Sequence, residues 1–228
     1  MIHTAIVSDC PLVREGLRSL ISRTDGMRVC AEVDHSASSL QSLEECSADV
    51  CVIAMAHDVG SGLELIRRLD QRNHAMRCLI WSMCDGAMYA ERALRAGARG
   101  WFNGRHSSTD LLTAIRKVHS GGVSLPDQLA DYLLDRTIGS KSQCNGSALE
   151  GLSDRELEVF RLLGSGLDMA SIASRLHVSR KTAETYRQRI RMKMRLANSR
   201  QVDFEAVRWN MEGETAAFAA RPECSASN

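Results

Sequence analysis

The sequence lacks several features that would mark a common functional class. Its 228 residues carry a formal net charge of only +1, so the chain as a whole is neither strongly basic nor strongly acidic. No segment approaches the ~20 consecutive apolar residues of a membrane helix, and no basic stretch followed by a long apolar run opens the chain. A phosphate-binding loop, a dinucleotide-binding glycine fingerprint and a paired nucleophile and base are also missing. We therefore expect a cytoplasmic protein that is not an enzyme and needs no cofactor.

The cysteines show no metal-binding pattern. None of the eight is spaced as a CxxC pair, and several lie in apolar segments where a reduced thiol packs as a small hydrophobic group. This pattern favours a reducing compartment and predicts no metal site. The cysteines are Cys10, Cys30, Cys46, Cys51, Cys78, Cys84, Cys144 and Cys224.

The near-zero net charge conceals an uneven distribution of charge. The segment from Gly151 to Trp209 contains twelve Arg or Lys residues and seven Asp or Glu residues, whereas the other residues contain seventeen and twenty-one. Such asymmetry is typical of a nucleic-acid-binding module joined to a mildly acidic domain. A hydrophobic content of 44% over this length supports two separate cores.

Short apolar runs alternate with helix-period segments through the first 122 residues. This alternation predicts an α/β domain built on a five-stranded doubly wound sheet. A linker over 123–150 with a short helix at Asp127–Leu134 follows, with a flexible Gly- and Ser-rich part at Thr137–Ser147. We expect an all-α module over 151–210 and a disordered tail over 211–228. The predicted strands are Thr4–Val7, Arg28–Ala31, Val50–Ala54, Cys78–Ser82 and Gly100–Phe102.

The basic module has the spacing of a helix-turn-helix. Ser153 and Glu156 form a capping-box pattern at the start of its first helix. A second helix over Met169–Leu176 is followed by a three-residue turn, His177–Ser179, and then by a third helix. One side of that helix is apolar and the opposite side is polar, which suits a helix that enters the major groove of DNA. The alternative is that the charged side is simply a solvated surface. The apolar residues are Ala183, Ile190 and Met194, and the polar ones are Lys181, Glu184, Thr185, Gln188 and Arg191.

Three segments of this module resemble the LuxR-type helix-turn-helix: LSDRELEVF (152–160), MASIASRLHVSRKTAETYR (169–187) and RMKM (191–194). The resemblance implies that Lys181, Thr182, Arg187 and Arg189 hold phosphates, that Glu184, Thr185 and Gln188 face bases, and that Arg180, Arg191 and Lys193 belong to the same DNA-binding surface. Two residues depart from the pattern. Glu184 replaces a common Lys, and Arg195 replaces the common Gly after the recognition helix.

The helix from Ser199 to Trp209 resembles the dimerisation helix of that family. The resemblance implies a homodimer that uses Val202, Ala206 and Trp209. The alternative is that this helix only covers its own small module, because a three-helix domain needs such a cover.

The first domain resembles the receiver domain of response regulators, most closely in SDCPLVREGL (8–17) and ALRAGARG (93–100). A working receiver has a phosphoacceptor Asp, two acids that bind Mg²⁺, a hydroxyl residue and a Lys. The resemblance places Ala54 at the phosphoacceptor, Ser8 and Asp9 at the two acids, Ser82 at the hydroxyl and Gly104 at the Lys. Because a methyl group cannot accept a phosphoryl group, this pattern predicts a degenerate receiver in which neither Asp49 nor Asp58 takes over the role.

These observations together predict a sequence-specific transcription regulator that binds double-stranded DNA as a homodimer and acts without aspartyl phosphorylation. One alternative is a protein-interaction adaptor that sequesters a signalling partner, which the acidic Glu184 favours. Another is a regulator that senses metal or oxidants at the rim of the receiver-like sheet. The rim residues would be Cys10, His57, Cys84, Asp85 and His106.

Overall fold

The computed structural model describes residues 1–35, 39–55, 59–72, 75–83, 87–138, 149 and 151–219. It divides the chain into two compact units, Met1–Ser142 and Gln143–Asn228. The first is an α/β unit built on one sheet, and the second is helical, so the predicted fold class is confirmed. Across the described ranges, no helix combines the length and the apolarity required to cross a membrane.

Five parallel strands form the sheet of the first unit, in the order β2-β1-β3-β4-β5. This is the strand order of flavodoxin-like folds. All five predicted strands are present, and each is one to three residues longer than its sequence pattern indicated. Their bounds are β1 Ile2–Val7, β2 Met27–Val33, β3 Val50–Met55, β4 Arg77–Ser82 and β5 Gly100–Asn103.

Helices connect these strands and cover the sheet. One face of the sheet packs against α1 and α5 through a single apolar cluster that includes Ile6, Val52, Leu79 and Ile115, all fully buried. The central strand β3 is buried along its whole length, as a strand covered on both faces should be. The helices are α1 Pro11–Ser22, α2 Ser39–Glu45, α3 Val59–Gln71, α4 Ala87–Arg95, α5 Ser108–His119 and α6 Asp127–Ile138.

The second unit is helical, and its described residues include the helices α7 Asp154–Gly164, α8 Met169–Arg175, α9 Arg180–Lys193 and α10 Ser199–Ala219. The predicted capping box at the start of α7 is present, with Ser153 Oγ accepting from the Glu156 amide and Glu156 accepting from the Ser153 amide. Helices α7 and α10 approach very closely at Gly164, where a Cβ atom would lie 2.4 Å from the Ala206 carbonyl oxygen. Only glycine permits this contact.

Two predicted boundaries are wrong. Helix α6 continues to Ile138, so the first two residues of the expected flexible segment are helical; residues 139–148 lie outside the described residues. Helix α10 continues to Ala219, nine residues into the segment expected to be disordered. The extension is reasonable because residues 211–219 contain Met, Glu and Ala, which are good helix formers, and no proline. The last nine residues, 220–228, lie outside the described part of the chain.

Candidate nucleic-acid interface and the edge of the sheet

The turn between α8 and α9 has the tight geometry of a helix-turn-helix. Asp168 caps α8 by accepting from the Ser171 amide at 2.8 Å, and Ser179 caps α9 by accepting from the Thr182 amide at 3.0 Å. Between the two helices, His177 adopts a left-handed conformation with φ of 53°. These local interactions fix the direction in which α9 leaves the turn.

Helix α9 divides into a buried side and an exposed side, as predicted. Ala183 and Ile190 are completely buried against the rest of the helical unit. Within the described residues, neither Lys181 nor Arg189 forms an ion pair, so both cations remain available to a ligand. The exposed side chains of α9 include Arg180, Lys181, Thr185, Gln188 and Arg189, while Thr182 is half-buried beside its cap.

Arg187 lies between two carboxylates. Its Nη2 is 2.9 Å from Glu184 Oε2 within α9, and its Nη1 is 3.7 Å from Asp203 Oδ2 on α10. Burial raises the pKa of Asp203 despite the opposing effect of Arg187, and the charge of Glu184 adds to the increase. The side chain predicted to hold phosphate therefore joins α9 to α10 in this structure.

Two more of the predicted DNA-binding side chains contact the protein itself. Lys193 Nζ is 2.6 Å from Glu156 Oε2, and that carboxylate is almost completely buried under α9. Arg191 is half-buried and its Nη1 donates to the Ala197 carbonyl at 3.3 Å. The sequence places both cations on the basic stripe, but their partners come from other segments of the chain.

The chain leaves α9 through Arg195, which has a φ of 55°. This left-handed conformation is the one that glycine adopts most easily at the end of a helix. Arg195 therefore replaces the common glycine without changing the backbone conformation at this position.

The predicted dimerisation residues do not form an exposed surface. Val202 and Ala206 lie on the inner side of α10 and are completely buried. Trp209 is half-buried against Phe160, with ring centroids 6.0 Å apart. This corrects the prediction, because these residues supply the cover that the small helical unit needs. The exposed apolar side chains of α10 are Phe204, Val207 and Met211, at positions i, i+3 and i+7. Their spacing was visible in the sequence, but the periodicity does not show which of two apolar stripes faces the core.

In the first unit, the predicted pocket residues lie at the carboxyl ends of β1, β3, β4 and β5. Ala54 and Ser82 are buried, as is Ser8, whose Oγ accepts from the Cys10 amide at 3.2 Å. The amide of Gly104 donates to the Ser82 carbonyl at 2.7 Å. The sheet therefore brings these residues, and Asp9 directly after Ser8, to one edge.

Asp9 is exposed and both of its carboxylate oxygens are engaged by His35. Oδ1 accepts from the His35 amide at 2.8 Å, and Oδ2 lies 2.9 Å from the ring Nδ1. Gly104 faces a different neighbour, since a Cβ atom there would lie 2.5 Å from Cζ2 of the Trp81 indole. Trp81 stands directly beside Ala54 in the register of β3 and β4.

The predicted rim cluster is only partly within the described residues. His57, Cys84 and Asp85 lie outside them. Cys10 is half-buried, and His106 is exposed with its ring edge-on to Phe102 at a centroid distance of 5.9 Å. Among the residues that the structure describes, no three His, Cys, Asp or Glu side chains are grouped so that they could hold a metal ion.

A doubly wound domain followed by a helix-turn-helix module defines a class of two-domain regulators, and family comparisons agree with this architecture. Residues 4–116 match the response regulator receiver domain, and residues 150–204 match the bacterial regulatory proteins of the luxR family. A protein of Pseudomonas aeruginosa described as a transcriptional regulator is 33% identical over 85% of this chain and 91% of its own. The chain belongs to the LuxR family of response regulators, which are DNA-binding transcription regulators of two-component systems.

Other relatives cover nearly the whole chain. The response regulator GacA of Pseudomonas viridiflava is 28% identical over 92% of this chain and 98% of its own. Among solved structures, the RcsB response regulator of Salmonella typhimurium matches with a TM-score of 0.62 at 21% identity, over 90% of this chain and 96% of that one. The RcsB match supports the fold.

The buried carboxylate of Glu156 gives a testable pH dependence. Burial alone would raise the pKa of Glu156, but hydrogen bonds from Lys193 and from the Ser153 amide outweigh burial and lower it. A carboxyl group whose pKa is lowered by folding stabilises the protein above its unfolded pKa of about 4.3, and this stabilisation is lost as the pH falls through the folded value. We expect Glu156→Gln to unfold more easily than the wild type at pH 7 and to lose less stability between pH 5 and pH 3. Urea denaturation at each pH measures this, and parallel pH profiles for the two proteins would contradict it.

Proposed function

We propose that this chain regulates transcription as a homodimer that reads a specific duplex sequence, and that it does so without phosphorylation of its receiver-like unit. The observation that carries the DNA-binding part is the exposed side of α9. It combines two exposed cations that form no ion pair with any residue in the described part of the chain, Lys181 and Arg189, with polar side chains, Thr185 and Gln188, on a helix fixed by its buried side. A DNA ligand implies action in the bacterial cytoplasm.

One group of side chains on α9 binds phosphates, and another faces the bases. Arg180, Lys181, Thr182 and Arg189 hold phosphates, which supplies most of the affinity and makes it depend on salt. Thr185 and Gln188 face base edges, where a side-chain amide can recognise adenine. Arg187, Arg191 and Lys193 act through the protein by fixing α9 against its neighbours. Glu184 holds Arg187 in place, and its negative charge repels phosphate. It therefore weakens binding to DNA of any sequence and leaves affinity more dependent on the base contacts.

Three observations support the loss of phosphorylation. Ala54 offers no oxygen to a phosphoryl group. Asp9, the remaining acid, gives both oxygens to His35, and with Ser8 uncharged the residues present do not fit a Mg²⁺ ion, which requires clustered oxygen ligands. A side chain at Gly104 would overlap the Trp81 indole, so the space of a phosphate-binding Lys is filled by an aromatic ring.

The homodimer is supported by the apolar stripe of Phe204, Val207 and Met211 on α10. Side chains of this size and exposure on one helix face are typical of a contact between copies. One related structure is described as two RcsB dimers bound to two parallel DNAs. By the same logic, two copies of this chain would pair their α10 helices and present their α9 helices to adjacent turns of the duplex.

A protein-interaction adaptor is the competing function, and the Glu184–Arg187 ion pair favours it because the pair removes one positive charge from the recognition surface. Selection of binding sites from random duplex DNA separates the two functions. A regulator enriches a defined motif from the pool, whereas an adaptor enriches none.

Lys181 and Lys193 form a matched pair that tests which cations reach DNA. Lys181→Ala should weaken binding and reduce the slope of log K against log salt by about 0.9, because one phosphate contact is lost. Lys193→Ala should leave that slope unchanged and lower the stability of the helical unit instead. Fluorescence anisotropy between 50 and 200 mM salt gives both slopes. Equal losses of slope would contradict the assignment.

The receiver-like unit should be insensitive to phosphodonors. Acetyl phosphate with Mg²⁺ should change neither the mass of the protein nor its DNA affinity, because the buried end of β3 carries the methyl group of Ala54 where a receiver has its phosphoacceptor carboxylate. Ala54→Asp should restore no response either, because Trp81 still fills the space of the phosphate-binding Lys and His35 still engages both oxygens of Asp9. Intact-mass spectrometry and anisotropy measure the two effects. A phosphorylated wild-type protein with raised affinity would refute the proposal.

The stripe on α10 gives a prediction for assembly. Phe204→Glu should shift the chain toward monomer and weaken DNA affinity at least about tenfold, because burying an unpaired charge at an interface is costly. Leu134→Glu places the same charge at another exposed apolar position, on α6, and should have neither effect. Sedimentation velocity and anisotropy check this. Indistinguishable behaviour of the two variants would exclude this stripe as the contact.

A further inference from the structure

The first unit contains two pairs of neighbouring cysteines that differ in their access to solvent. Cys51 on β3 and Cys78 on β4 are partners in the register of the sheet, and both are buried. Cys30 on β2 is exposed, and Cys46, directly after α2, is half-buried. The second pair is therefore the one that a small molecule can reach.

Cys30 and Cys46 line the same shallow surface cleft. Its other lining residues come from β2 and the end of α2, including Glu32, Val33 and Glu45. Burial, and after it the nearby Cys46 side chain, raise the pKa of Cys30 to about 11. Because both residues line this one small cleft, the two thiols lie at the same place on the surface of the unit. Cys46 Sγ also lies 3.3 Å from the Leu43 carbonyl, which orients its S–H bond.

We propose that Cys30 and Cys46 form a reversible disulfide by exchange with a low-molecular-weight disulfide of the oxidised glutathione class. The Cys30 thiolate attacks one sulfur of the small disulfide, and one small thiolate leaves and is protonated. The Cys46 thiolate then attacks the Cys30 sulfur of this mixed disulfide and expels the second small thiolate. The two protein thiols lose two electrons and two protons, and one small disulfide becomes two small thiols.

The surroundings of the pair set the rate of this exchange. Because the pKa of Cys30 lies near 11, only a small fraction is thiolate at pH 7 to 8, and the reaction is slow. The rate should rise about tenfold per pH unit over this range, since the thiolate is the attacking species. The site would thus respond to sustained oxidation of the small-thiol pool and ignore brief changes.

This modification is independent of the phosphorylation edge. Cys46 precedes β3, whereas Ala54 and Ser82 lie at the carboxyl ends of their strands. Closing the bond would tie β2 to the end of α2 and restrict the unfolded chain between residues 30 and 46. We therefore expect the oxidised protein to melt at a higher temperature than the reduced protein.

The test uses the full-length, reduced protein incubated with oxidised glutathione at pH 7.5, 8.3 and 9.0. Digestion after acidic residues under non-reducing conditions separates the two cysteines, because Glu32 and Glu44 lie between them, and Asp49 separates Cys46 from Cys51. Mass spectrometry should find a Cys30–Cys46 cross-linked peptide with the loss of two hydrogens. Cys51 and Cys78 should remain reduced in the folded protein and serve as the internal control.

Three variants make the outcome decisive. Cys46→Ser should stop at a stable glutathione adduct on Cys30, Cys30→Ser should form no intramolecular bond, and Cys10→Ser should behave as the wild type. A wild-type protein that accumulates the glutathione adduct without closing the bond would overturn the proposal. Failure of Cys30 to react at pH 9.0 while the protein remains folded would overturn it equally.

Discussion

Glu156 is a buried carboxylate that joins two helices of the helical unit. Glu156 accepts from the Ser153 amide at the start of α7 and from the Lys193 ammonium at the end of α9. A buried charge is tolerated only when it is paired and hydrogen-bonded, so this carboxylate requires both partners at once. It therefore joins the end of α9 to the start of α7. Arg187 does the same on the other side by joining α9 to Asp203 of α10.

The basic residues of α9 look alike in the sequence, but the structure divides them into two groups with different physical roles. Cations whose partners are carboxylates of other helices hold α9 in place, whereas Lys181 and Arg189 remain exposed to solvent. The distinction explains how a small helical module holds α9 firmly, as the proposed reading of a DNA groove would require. Rigid support of this kind is what sequence recognition requires.

Much of the fold follows from local signals in the sequence. The strands were predicted because their apolar runs are short and bounded, and the starts of α7 and α9 because Ser153 and Ser179 are good caps. The partner of Lys193 could not be predicted, since Glu156 lies 37 residues away and only the packing of α7 brings it close. The buried face of α10 was also misjudged, because Val202 and Ala206 form one apolar stripe and Phe204 and Val207 another. The packing of α10 against α7, with Ala206 opposite Gly164, decides between them.

The end of the recognition helix shows a compromise between strain and charge. A left-handed backbone costs a side chain with a Cβ atom roughly 1 to 2 kcal/mol relative to glycine. Arg195 bears this cost, and its cation lies where the helix dipole is negative, an attraction of about 0.3 to 1 kcal/mol. The electrostatic gain does not fully offset the conformational penalty. The arginine therefore does not make the fold more stable than a glycine would. Its positive charge is better explained by a role at the exposed surface of the helical unit.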